Sequence, residues 1–270
     1  MDDALAAASI LQSQGIATIL THLGENVADA KESEGVTDHY LQLLNHFRAI
    51  NMQSAISIKL TQLGLDLDKD LCRANLMRLL EKSAPDRMVW IDMESSNYVD
   101  ATLEIFRGAR LARSNVGVCL QACLHRTAGD LAPLIELGAA IRLVKGAYKE
   151  PPDRAFASKK KVDDNFFQLT KSLLSDESRR AGAQVAVATH DRVLIRKIQE
   201  FAFESGRAKN SFEFQMLYGI QRAEQHRLVS EGWRCGVLIN YGQYWFPWFM
   251  RRLAERPANV LFLIRNILAT

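Results

Sequence analysis

Two adjacent arginines, Arg251 and Arg252, and a lysine that closes an apolar run, Lys59 in Ile56-Ser57-Ile58-Lys59, are the side chains best suited to grip a small carboxylate. Two guanidinium forks beside an ammonium can bind it through paired, charge-assisted hydrogen bonds. An ammonium at the end of an apolar run is costly to bury without an anion. Lys59 therefore has two readings, a contact to a bound carboxylate or an ion pair with a neighbouring strand's Asp92. The arginine pair alone also fits a solvated helix face, although consecutive helical residues diverge by roughly 100°, so one or both can turn toward a site.

Other polar residues stop apolar runs in the same way: Glu25, Asp92 with Glu94, Gln121, Arg142 with Lys145, and Thr189 with His190. In Ala188-Thr189-His190-Asp191 the imidazole could act as a base, a ligand or a phosphate contact, but no second histidine or cysteine stands at ligand spacing, which argues against a metal site. The sequence has no H-E-x-x-H, no G-x-S-x-G, no G-x-x-x-x-G-K and no G-x-G-x-x-G. The aromatic residues Tyr241, Tyr244, Trp245, Phe246, Trp248 and Phe249 fit helix packing, and could also wall a flat cofactor.

Net charge is +3, with 34 basic and 31 acidic residues scattered along the chain, so no basic stripe suggests nucleic acid. Lys159-Lys160-Lys161 reads as a solvated helix entry. The 4 cysteines form neither a Cys-x-x-Cys pair nor a disulfide framework, which points to a reducing cytoplasm and to small, buried apolar roles. No cationic start leads into a long apolar run, and no stretch is apolar for long enough to span a membrane. The apolar stretch 260–268, broken by Arg265 and Asn266, reads as a docked helix compatible with contact at a membrane surface.

The elements that must position these residues alternate. Short β-branched runs at 16–20, 54–59, 88–92, 116–121, 141–144, 185–188, 212–215 and 236–239 are separated by segments of helical period. Examples are 37–49, with Thr37 as N-cap, and 69–82, where Leu76, Leu79 and Leu80 share a face. Thr127, with Asp130 three residues later, is predicted to cap a further helix, and Gly138, Gly182, Gly206 and Gly232 stand where helices should stop. Eight strand–helix units in 270 residues, without a Pro/Gly-rich linker, predict one α/β domain over 1–270. It is a (β/α)8 TIM-like barrel with a C-terminal helix over its mouth. An open doubly wound sheet is the alternative, with fewer strands and a Gly-rich first turn. In a barrel the polar residues at strand ends line the C-terminal mouth, where chemistry is done.

The strings Ser57-Ile58-Lys59-Leu60-Thr61, Ile91-Asp92-Met93-Glu94, Arg142-Leu143-Val144-Lys145-Gly146-Ala147-Tyr148, Ala188-Thr189-His190-Asp191 and Arg251-Arg252-Leu253-Ala254-Glu255-Arg256-Pro257 together resemble the proline dehydrogenase family in its short bacterial monofunctional form. The resemblance runs in order from about Ile16 to the C-terminus, and the arginine pair with its lysine and the RLVKGAY string are its specific parts. It implies a distorted barrel that holds FAD, oxidises L-proline to 1-pyrroline-5-carboxylate and passes electrons to a membrane quinone, with peripheral contact at the inner face of the membrane. Position by position, it makes Lys59, Arg251 and Arg252 the grip on the substrate carboxylate, with Glu25 as ion-pair partner of Arg251. Arg142 would hydrogen-bond the flavin near N5 and Gln121 would meet its polar ring edge. Val144, Gly146 and Ala147 would line the cofactor, Thr189 and His190 would contact its ribityl or phosphate portion, and Met93 would neighbour its ring. Asp92 would be an active-site carboxylate.

One departure bears on substrate choice. Where the family usually carries a tyrosine over the proline ring, this chain has Leu238, and Trp248 stands where a tyrosine is common. Loss of a hydroxyl changes the pocket's shape and polarity. Oxidation of proline, oxidation of hydroxyproline or another cyclic amine, and a barrel that binds flavin or proline without turnover are the three functions left open.

Overall fold

The computed structural model describes residues 1–24, 27–83, 85 and 87–242. Eight parallel strands close on themselves in chain order, with β8 pairing back onto β1 along Ala17↔Gly236 to His22↔Tyr241. That closure excludes the open sheet. The strands are β1 (Ala17–His22), β2 (Ser54–Ile58), β3 (Val89–Ile91), β4 (Val116–Gln121), β5 (Ala140–Val144), β6 (Gln184–Ala188), β7 (Glu213–Leu217) and β8 (Arg234–Tyr241). All eight predicted strands are present, with ends shifted by a few residues.

Among the described residues the helices are α1 (Asp2–Ser13), α2 (Ala30–Ala49), α3 (Lys69–Lys82), α4 (Val99–Ala112), α5 (Thr127–Glu136), α6 (Lys159–Leu173), the short α7 (Asp176–Arg180), α8 (Arg192–Glu204) and α9 (Arg222–Ser230). Most lay an apolar face on the barrel, whereas α7 buries only Ser178 and α9 buries Glu224 and Gln225 beside Leu228. In α8 the buried stripe is Leu194, Ile195, Ile198 and Ala202, and each large aliphatic side chain so buried is worth roughly 1.5–3 kcal/mol.

Two predicted caps are corrected. Helix α2 begins at Ala30, not Thr37, because the Asp29 carboxylate accepts the Glu32 N–H at 2.9 Å. Thr37 is buried inside it, its hydroxyl donating to the Ser33 carbonyl one turn back. Thr127 is the first residue of α5 rather than its cap, and its hydroxyl donates to the Gln121 carbonyl at the end of β4. The predicted glycine stops hold, with φ of 62° to 84° at Gly138, Gly182, Gly206 and Gly232. Lys159 to Lys161 form the exposed first turn of α6.

Most of the core lies between strands and helices. The inside of the barrel holds a smaller cluster of Ile19, Trp90, Ala140 and Ala186, with Ala55, Met88 and Leu238 against it. Two glycines clear the space there. A Cβ on Gly117 would lie 2.6 Å from the Trp90 ring, and one on Gly236 would lie 2.6 Å from a carboxylate oxygen of Glu213. Above this floor the inward positions turn polar, which places the candidate site at the C-terminal ends of the strands.

Candidate active site

Successive residues of a strand face opposite sides, so Ser57 on β2, Asp92 just after β3, Arg142 on β5 and Gln215 on β7 all project into the barrel. They form one hydrogen-bonded unit. Arg142 Nη1 donates to Asp92 Oδ1 at 2.8 Å and to Ser57 Oγ at 2.9 Å, and its Nε donates to Gln215 Oε1 at 2.7 Å. Ser57 Oγ donates in turn to Asp92 Oδ1 at 2.7 Å. The guanidinium carbon lies 4.6 Å from the centre of the Trp90 ring. Arg142 is only 3% exposed, and its Nη2 is buried without a hydrogen-bond partner among the described residues. A charged donor left so would cost several kcal/mol, so Nη2 calls for an acceptor that the described residues do not supply.

Lys59 stands at the rim of this unit, its ammonium 4.0 Å from Asp92 Oδ2. That is an ion pair but too long for a hydrogen bond. Both sequence readings of Lys59 therefore meet at one place, with Asp92 as its electrostatic partner and its donors not spent on that oxygen.

Around the mouth, Gln121 Nε2 donates to the Glu94 carbonyl at 2.6 Å, and the Glu94 carboxylate accepts from Thr61 N–H at 3.2 Å and Thr61 Oγ at 2.6 Å. These bonds tie the turns after β2, β3 and β4 together. Met93 is buried at 7% exposure within the core. Val144 ends β5 half-buried, and Ala147 is half-buried beyond it. Gly146 between them has φ 106°, and a Cβ there would meet Cys123 Sγ at 2.2 Å, so the backbone approaches as close as only glycine allows.

Beyond β6, Thr189 Oγ accepts the Asp191 N–H at 3.2 Å, and Asp191 Oδ1 caps α8 by accepting from Val193 N–H at 3.1 Å. The second Asp191 oxygen meets the Lys145 ammonium at 2.9 Å. Burial works against the charge of Asp191, but Lys145 and the helix N–H groups outweigh it and hold the carboxyl below its ordinary value. His190 Nε2 accepts the Leu217 N–H at 2.8 Å, so in that arrangement its ring proton sits on Nδ1.

The sequence matches the family model described as proline dehydrogenase over residues 4–265. It is 39% identical over 258 residues to proline dehydrogenase 2 of Bacillus subtilis subsp. natto, covering 95% of this chain and 83% of that one. It is 36% identical over 274 residues to proline dehydrogenase of Deinococcus radiodurans, covering 99% and 87%. The chain belongs to the proline dehydrogenase family.

The fold agrees: the barrel superposes with TM-score 0.82 and 23% identity on proline utilization A from Bdellovibrio bacteriovorus, in a crystal structure of the form inactivated by N-propargylglycine. The match covers 93% of this chain and 31% of that one, so the chain spans about a third of the length of that solved protein. Lys59, Asp92 and Arg142 meet at one end of the barrel in this proline dehydrogenase family member, with Gln121, Val144 and Gly146 at or just after the ends of β4 and β5 and Thr189 and His190 after β6. Glu25, Arg251, Arg252 and Trp248 lie outside the described residues.

Leu238 faces the barrel interior, paired with Ile19 on β1 and Leu217 on β7. Ser57, Trp90, Glu213 and Gln215 are the site residues that sequence reasoning missed. For Ser57 and Gln215 a signal existed, a polar residue at every second position of an apolar strand. Among the described residues no three His, Cys, Asp or Glu side chains cluster as metal ligands, and no helix is long and apolar enough to cross a membrane.

Proposed function

We propose that this chain, as a single domain over 1–270, is an FAD-dependent dehydrogenase that oxidises L-proline to 1-pyrroline-5-carboxylate and delivers the electrons to a quinone. The observation that carries the reading is the buried Arg142 guanidinium, held at Nε and Nη1 and left with an Nη2 that has no partner among the described residues. A flavin fits the residues present. Arg142 offers a charged donor for its N5 region, Gly146 and Val144 would line the ring from the end of β5, and His190 and Thr189 stand where polar portions would pass.

Bound flavin would supply the two-electron acceptor for the carbon next to the ring nitrogen, chemistry that no side chain here provides. The side chains do the rest. Lys59, joined by Arg251 and Arg252, would hold the carboxylate and so fix which carbon faces the acceptor, with Glu25 paired to Arg251. Asp92, bound to Arg142 and near Lys59, balances the two cations and holds both in place. Gln121, Val144 and Ala147 would line the cofactor, with Met93 neighbouring its ring. The setting we propose is cytoplasmic, with peripheral contact at the inner face of the membrane where a quinone is reached.

The experiment is an anaerobic titration. Protein reconstituted with FAD is expected to lose the absorbance of oxidised flavin when L-proline is added and to regain it with a quinone analogue. Protein that retains no FAD, or whose bound flavin is untouched by L-proline, would overturn the reading. Retained flavin that no substrate reduces would mark a binding barrel without turnover.

Leu238 favours a second reading of the substrate. An aliphatic side chain on the inner wall, where the family resemblance expects a tyrosine hydroxyl, changes which ring substituents are accepted. A panel of proline, hydroxyproline and other cyclic amines, run on the wild type and Leu238→Tyr, decides it. Proline preferred in both would remove the second reading.

A further inference from the structure

The inner face of β7 carries two polar residues in succession, Glu213 and Gln215, in a part of the barrel otherwise filled by Ile19, Ala140 and Ala186. Their bonds run in one direction. Gln215 Nε2 donates to Glu213 Oε1 at 2.7 Å, while Gln215 Oε1 accepts from Arg142 Nε at 2.7 Å. Reversing the amide would set its NH2 against the guanidinium and its oxygen against the carboxylate, so both contacts would become repulsive. The Glu213 charge therefore fixes the orientation of the Gln215 amide.

The barrel makes room for that charge. Gly236 pairs with Gln215 across β7 and β8, and a Cβ on it would fall 2.6 Å from Glu213 Oε1. The Glu213 side chain is only 13% exposed, and its other oxygen lies 3.5 Å from the Arg234 guanidinium. Keeping a carboxylate this deep is costly unless its hydrogen bonds are used.

We propose that Glu213 and Gln215 are positioning residues for Arg142: the pair sets the plane of the guanidinium and with it the direction in which the unpartnered Nη2 donates. Asp92 and Ser57 grip Nη1 from β2 and β3, and the β7 pair grips Nε from the opposite side of the barrel. Two grips from opposite sides leave the planar group little freedom to rotate. The inference rests on the reading that Arg142 serves a bound flavin.

The test uses the FAD-loaded holoenzyme and its Gln215→Met, Glu213→Leu and Glu213→Gln variants. Met keeps the length of Gln215 but not its hydrogen bonds, and Gln at 213 can still present an oxygen to the Gln215 amide. With Arg142 released, kcat is expected to fall by about 100-fold in Gln215→Met and Glu213→Leu, with KM for L-proline little changed. The midpoint potential of the bound flavin should shift negative in both, because a cation near it is less well placed. Glu213→Gln should restore most of both quantities.

The double variant Glu213→Leu/Gln215→Met should be no worse than Gln215→Met alone, since the two residues act through one bond. An unchanged flavin potential in Gln215→Met, or equal behaviour of Glu213→Leu and Glu213→Gln, would overturn the inference. If Gln215→Met does not fold, the Leu/Gln comparison at 213 carries the same decision. A wild type that L-proline does not reduce removes the flavin reading and this inference with it; a wild type that is reduced, with the variants unchanged, removes only this one.

Discussion

The guanidinium carbon of Arg142 lies 4.6 Å from the centre of the Trp90 ring, and that ring fits only because residue 117 has no side chain. A stacked indole screens one face of the cation from water and holds the group flat. Gly117→Ala would drive a methyl into the ring at 2.6 Å, so Trp90 and the guanidinium above it must shift. The expected outcome is a loss of about 1–3 kcal/mol in stability. Proline turnover should fall further than stability alone explains. Denaturant unfolding and kcat on the same preparation check it, and a variant as stable and active as wild type would contradict the packing described.

Lys59 and Asp92 make a loose pair at 4.0 Å, which suits an ammonium that has a second anion to hold. Lys59→Met keeps the stem and removes the charge. If the substrate carboxylate is that anion, KM for L-proline should rise on the order of 10- to 100-fold, the worth of a charge-assisted hydrogen bond. FAD content should not change. Steady-state kinetics with flavin absorbance measured in parallel separates the two effects, and a normal KM would return Lys59 to a purely structural role.

Gly146 combines a φ of 106° with a missing Cβ that would lie 2.2 Å from Cys123 Sγ. Gly146→Ala is therefore strained whichever way it relaxes, by at least about 1–3 kcal/mol. The strain falls on the turn after β5, so flavin retention through gel filtration should drop before the fold is lost. Pairing Gly146→Ala with Cys123→Gly would relieve the contact but not the backbone strain, and should restore retention only in part.

His22 and His39 face each other with ring centres 4.2 Å apart, and His39 Nε2 lies 2.8 Å from the Tyr241 hydroxyl. Burial, then the charge of His39 and of the N-terminus, lowers the His22 pKa from 6.5 to about 4. The unfolded chain thus binds more protons than the folded one between these values, so the contribution of His22 to stability is present above pH 6.5 and lost as the pH falls toward 4. The melting temperature should decline over that window, and His22→Gln should flatten the decline. An identical pH profile in the variant would place the loss elsewhere.

Much of this architecture was legible in the residues themselves. Alternating β-branched runs and helical periods announced eight strand–helix units, because each element must bury its own apolar face whatever its neighbours are. Lys59, Asp92 and Arg142 stood out because a charge that ends an apolar run has to be accounted for. The cap of α2 was misread, since Thr37 follows a polar segment that Asp29 can cap equally well from further upstream. A cap is decided by backbone geometry rather than by residue type alone.

What only the tertiary structure decided is who meets whom across the barrel. Ser57, Trp90, Arg142, Gln215 and Glu213 come from strands as far apart as β2 and β7, and nothing in their spacing along the chain says that one guanidinium joins them. The same holds for Gly117 and Gly236, whose absent side chains matter because of rings and carboxylates on adjacent strands. The periodicity of a chain fixes which side chains share a face; closure of the sheet fixes the distances between faces, and the chemistry at the barrel mouth depends on those distances.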